Sequence, residues 1–163
     1  MKRKKISYID WAVMVIFIAI IIGRCVVLAF FFKPMLIFFY DFIFAFLILT
    51  LMMSSYLYKY SNMSFSLMWF LLCIIYALPG NRPLAFFGLL LFIAYHIIRL
   101  SYIRRFGQEF IPPEPSKNRF IPVYNIDEQR ESNEQDNLYM RIFTWCGLII
   151  LIACVFVQGH ITR

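Results

Sequence analysis

WAVMVIFIAIIIGRCVVLAFFFKPMLIFFYDFIFAFLILTLMM, Trp11 to Met53, decides the fold. Two apolar runs flank a Lys33-Pro34 turn, and each carries one charge, Arg24 before the turn and Asp41 after it. Arg24 lies nine residues before Lys33, and Asp41 seven after Pro34. If both arms are membrane-spanning helices, each charge sits roughly 10–14 Å below the same surface, at 1.5 Å rise per residue. Opposite charges at matched depth on antiparallel neighbours can pair, and a charge left alone in hydrocarbon costs several kcal/mol or more. The pair is therefore expected to pin the first two helices together. A coupling or gating role, or contact with another subunit, stays open beside that structural one.

Working outward, the whole chain has the same character. Its 163 residues are 62% hydrophobic, 20% aromatic and only 15% charged, against about 45–50% apolar and 25% charged for soluble domains. The apolar runs are continuous, unlike the alternating segments of roughly ten residues in a transmembrane barrel. The expected class is all-α: a polytopic membrane protein of five transmembrane helices, in a bacterial inner membrane. Three parts are expected: a four-helix region over 1–105, a polar loop over 106–140, and a fifth helix with a short tail over 141–163.

The spans are expected at Trp11 to Phe32, Met35 to Met53, Met63 to Leu78, Leu84 to Ile103 and Arg141 to Val157. A rival parse ends the first at Gly23, leaving Cys25 to Phe32 as a re-entrant piece. Ala19 and Gly23 form a small-xxx-small pair suited to close helix approach. Ser54 to Asn62 reads as a polar interfacial loop with Tyr56, Tyr58 and Tyr60. The third and fifth spans look short for about 30 Å of hydrocarbon. Pro79-Gly80-Asn81-Arg82-Pro83 signals a tight turn.

The basic start resembles a signal peptide, but its apolar run is longer than an h-region and no A-x-A-like site ends it. It is expected to be an uncleaved first span. With the N-terminus inside, inner segments hold twelve Lys and Arg residues and outer ones three (Lys33, Arg82 and Arg163), with Arg24 set aside. That bias puts the N-terminus in the cytoplasm and the C-terminus outside. Clustering of Lys2, Arg3, Lys4, Lys5, Arg104 and Arg105 beside apolar runs makes membrane lipid, and not nucleic acid, the expected partner of the net charge of +7.

Chemistry-bearing sets are thin. Cys25, Cys73, Cys146 and Cys154 all fall within apolar runs with no CxxC spacing, which argues against a disulfide framework or a zinc site. His96 and His160 are expected at opposite ends of the bundle, so they cannot share a haem. His96 with Arg99 is a possible polar relay; hydrogen-bonded packing is the simpler role for a single His. Asp41 is the only carboxylate deep in a span and Asp10 is expected alone at the inner edge, whereas a membrane aspartyl site needs two acids in reach. No catalytic residue, cofactor or metal is expected.

The 106–140 loop carries early prolines, aromatics (Phe110, Phe120 and Tyr124) and a late acidic run beginning at Asp127 and Glu128. Those residues suit docking on a partner; a solvated linker explains the composition equally well. Ser132 followed by Gln135 resembles a capping box that could feed the last helix. The expected function is a non-enzymatic integral subunit of a larger membrane or envelope assembly, in secretion or transport, contacting other subunits or its own copies. The alternative is a small ion- or proton-coupled transporter or channel using Arg24, Asp41 and His96.

Overall fold

The computed structural model describes residues 8–30, 34–53, 57, 60, 62–79, 82–108 and 133–161. These form five α-helices and, among the described residues, no strand: α1 Tyr8–Phe30, α2 Pro34–Met52, α3 Met63–Ala77, α4 Phe87–Phe106 and α5 Glu134–Ile161. A 3-10 turn, Pro83–Phe86, leads directly into α4. Four segments are long and apolar enough to cross a membrane: Asp10–Phe30, Pro34–Met52, Pro83–Phe106 and Glu134–His160. Their outward faces carry large apolar side chains such as Ile16, Ile43, Ile97 and Trp145, as helices in lipid do and helices in water do not. α3 is also apolar, but its 15 residues reach only about 22 Å.

Local signals explain the ends. Pro34 opens α2, where a missing N–H costs little. Asn62 caps α3, its side chain accepting from the Ser64 N–H at 3.1 Å. Gly107 ends α4 in the left-handed region, φ 67°, with its N–H returning to the Ile103 carbonyl at 2.8 Å. α1 runs unbroken through Gly23 and Arg24 to Phe30, which overturns the re-entrant parse.

α5 differs most from expectation. It starts at Glu134 and runs for 28 residues, about 42 Å, so it is not short and the polar connection ends near Asn133 instead of residue 140. Two interactions account for the extra length. Asn133 Oδ1 accepts the Asp136 N–H at 2.9 Å while Asp136 Oδ2 accepts the Asn133 N–H at 3.0 Å. This is a capping box one residue later than the Ser132/Gln135 reading. Just inside it, Tyr139 packs edge-on against Tyr102 (4.9 Å between centroids) and Phe106 (5.9 Å) of α4. Phe110, Phe120, Tyr124, Asp127 and Glu128 of the expected docking loop lie outside the described residues.

α1 packs on α2 and α3, while α4 packs most extensively on α5. The core between them is aromatic: Phe17 of α1 lies 5.0 Å from Phe44 of α2 and 4.7 Å from Trp69 of α3. Tyr60, expected in an interfacial loop, is fully buried with its ring edge-on to Phe65, Trp69, Phe92 and Tyr95. Leu57 is buried with it. Leu57 and Tyr60 therefore belong to the core, because ring burial outweighs the polar character of the sequence around them.

Small residues permit the tightest approach. A Cβ on Gly147 of α5 would come within 2.8 Å of Leu49 Cδ1 and 3.1 Å of Leu91 Cδ1, whereas one on Gly159 would meet nothing. Gly147→Val is expected to destabilise the fold by about 1–3 kcal/mol through overpacking. Gly159→Val should stay within about 0.5 kcal/mol. Unfolding of both variants in detergent checks this; equal effects would refute the packing assigned to α5.

Candidate functional site

The site is built at the end of α3. Arg24 leaves α1 six residues before its end and Asp41 lies seven residues after Pro34 on α2, and the two side chains meet between these helices. Each is fully enclosed, 1% and 0% exposed. Arg24 Nε donates to Asp41 Oδ1 at 2.7 Å.

The guanidinium does more than pair. Arg24 Nη1 donates to the backbone carbonyls of Tyr76 at 2.7 Å and Pro79 at 2.8 Å. These belong to the last turn of α3 and the residues just beyond it, where helical carbonyls lack N–H partners and the helix dipole is negative. The Leu78 N–H takes one more, that of Ile74. Pro79 offers no N–H to continue the ladder. In apolar surroundings such carbonyls need a donor, and a cation is the best one available.

Tyr76 closes the circle. Its hydroxyl donates to Asp41 Oδ1 at 2.8 Å, and its ring centroid lies 4.5 Å from Arg24 Cζ in a cation–π contact. Asp41 Oδ1 thus accepts from two side chains. Arg24 Nη2 and Asp41 Oδ2 have no hydrogen-bond partner among the described residues, so the guanidinium and carboxylate join through one prong and not as a two-pronged fork.

Tyr40, beside Asp41 on α2, donates its hydroxyl to the Ile20 carbonyl of α1 at 2.8 Å. It reaches there because Gly23 is small: a Cβ on Gly23 would stand 2.6 Å from the Tyr40 hydroxyl. Only half of the expected small-residue pair acts this way, since Ala19 is exposed.

The other sequence candidates stand elsewhere. His96 Nε2 is hydrogen-bonded to Ser66 Oγ at 3.0 Å, with its ring 4.4 Å from Phe92. Ser66 sits in the first turn of α3 and Tyr76 in its last, ten residues or about 15 Å apart. Trp69 and Cys73 of α3, both buried, fill the interval together with Phe17 and Phe44. The structure therefore joins Arg24 to Asp41 and separates both from His96. Arg99 is half-buried one turn further along α4. Asp10 is buried, 2% exposed, and not alone at an edge. Among the described residues no group of three His, Cys, Asp or Glu could hold a metal ion, and all four cysteines are free.

Chemically, the site is a neutralised cation–anion pair locked onto a helix end. Removing one partner strands a buried charge. Arg24→Leu or Asp41→Leu alone should cost about 3–5 kcal/mol, and the double variant less than the sum. Arg24→Lys should fail to rescue, because one ammonium cannot span Asp41 and two carbonyls in the way a planar guanidinium does. Chemical unfolding in micelles measures all four; a lysine variant as stable as the parent would remove the helix-end role. No family model, curated protein or solved structure matches this chain.

Proposed function

We propose that this chain is a non-enzymatic integral subunit of a larger membrane or envelope assembly, in secretion or transport, held in a bacterial inner membrane. In this reading α3 is a fifth span, the N-terminus is cytoplasmic and the C-terminus outside, in keeping with the twelve-to-three distribution of Lys and Arg. The other members are further membrane-protein subunits or copies of the chain itself.

The observation that carries the reading is the engagement of the charge pair. Arg24 and Asp41 are enclosed and bonded to Tyr76 and to the end of α3. The costliest polar groups in the apolar region are thus committed to fixing helices. A span of 15 residues adds support, because it is better covered by protein neighbours than by lipid of normal thickness. The long α5 withdraws the same argument from the fifth span.

The rival reading is an ion- or proton-coupled transporter or channel using Arg24, Asp41 and His96. Its weakness is the aromatic and thiol packing over about 15 Å between His96 and the pair. The expected outcome for the chain in vesicles is no pH-driven flux, with Asp41→Asn reducing the recovery of co-purifying membrane proteins at unchanged monodispersity. A pH-driven flux that Asp41→Asn abolishes in still-folded protein would replace the subunit reading with the transporter.

A further inference from the structure

The end of α4 that carries Arg104 and Arg105 has no part in the network around Arg24. Ile97, Leu100, Ser101, Arg104 and Arg105 line one shallow, open groove there. Both arginines and Ser101 are exposed, and no carboxylate among the described residues pairs with either arginine. Arg105 merely lies against the ring of its neighbour Phe106, 5.6 Å from the centroid. Two arginines in a last helical turn also complement the helix dipole, but that role requires neither the serine nor what lies beneath.

Below them the same face continues as exposed Leu90, Ile93, Ile97 and Leu100, the last two 62% and 56% exposed. The 3–4 spacing aligns these four in a stripe about 15 Å long, the depth of one leaflet of a 30 Å hydrocarbon layer. A cationic head of two guanidinium groups and a hydroxyl thus tops an apolar track of one acyl chain's length. Phosphate oxygens accept from guanidinium in a two-pronged geometry.

We propose that this face of α4 binds an anionic phospholipid, its phosphate held by Arg104, Arg105 and Ser101 and one acyl chain lying along Leu100, Ile97, Ile93 and Leu90. The proposal rests on the chain residing in a membrane and is independent of whether it serves as a subunit or a transporter.

The test is native mass spectrometry of the full chain in neutral detergent, counting adducts of dioleoyl phosphatidylglycerol against dioleoyl phosphatidylcholine. The parent should prefer the anionic lipid, and Arg104→Gln with Arg105→Gln should reduce that preference by roughly thirtyfold, from the worth of two surface basic residues. Arg104→Lys with Arg105→Lys should retain most of it, which separates charge from folding. Adducts held by Lys2 to Lys5 are common to every variant and cancel in the comparison. A preference that survives the double Gln substitution overturns the site. Competition by inorganic phosphate as effective as the lipid itself would make the ligand free phosphate and overturn it too. The third refuting result is a parent without preference that gains one on Asp127→Asn, Glu128→Gln and Glu131→Gln, which would assign the arginines to the chain's own acids.

Discussion

One guanidinium sets the geometry of half the bundle. Arg24 reaches a carboxylate on α2 and two carbonyls at the end of α3, so the heights of three helices are fixed by a single side chain. Desolvating an ion costs several kcal/mol even after relaxation, and attraction repays it only when further hydrogen bonds are made. Those bonds are available because α3 is short. Had it run on for another turn, its carbonyls would be satisfied internally and Arg24 would face closed backbone. The brevity of α3 and the buried arginine thus require one another: the helix end needs a donor, and the cation needs acceptors beyond one carboxylate oxygen.

Around this point the aromatic packing is cooperative with the polar contacts. Phe44 lies one turn beyond Asp41 on α2, and its ring sits 3.9 Å from that of Tyr76. The stack that buries Tyr76 also aims its hydroxyl at Asp41. Phe17 and Trp69 extend the same layer toward Tyr60, so α1, α2 and α3 are joined by rings over most of their shared length. Tyr40 adds a second tie between α1 and α2 through the Ile20 carbonyl. A one-residue slip of α1 would break the Arg24 pair, the Tyr40 bond and the Phe17 contacts together, which is why register here is well determined.

The sequence announced some of this and concealed the rest for identifiable reasons. The level of Arg24 against Asp41 was legible because a tight turn makes depth a matter of counting residues. The partnership with Tyr76 was not, since a side chain bonding to backbone 52 residues away leaves no periodic trace. A sharper reading of the Pro79 stretch would have asked which donor serves the carbonyls before it. The start of α5 was misjudged because Asn133 and Asp136 form the same motif as Ser132 and Gln135 one step later, and packing of Tyr139 on α4, which supports the later register, leaves no trace in the sequence. Tyr60 misled because tyrosine marks both interfaces and cores. His96 was readable only as a residue needing a partner; that the partner is Ser66, distant from the charge pair, followed from the fold.

α5 shows how a helix far along the chain is tied to the rest of the bundle at both ends and in the middle. At one end its capping box and the Tyr102, Phe106 and Tyr139 rings fix it to α4. At the other, Gln158, 1% exposed, accepts the Leu84 N–H of the 3-10 turn at 3.0 Å. That turn packs in its own right on α2 and α3, so Gln158 connects α5 to the layer organised by Arg24. Between the two ends, Gly147 lets Leu49 and Leu91 close against the helix. With both ends and the middle held by side-chain contacts, the position of α5 follows from α4, the 3-10 turn and the leucines of α2 and α4 that close on Gly147.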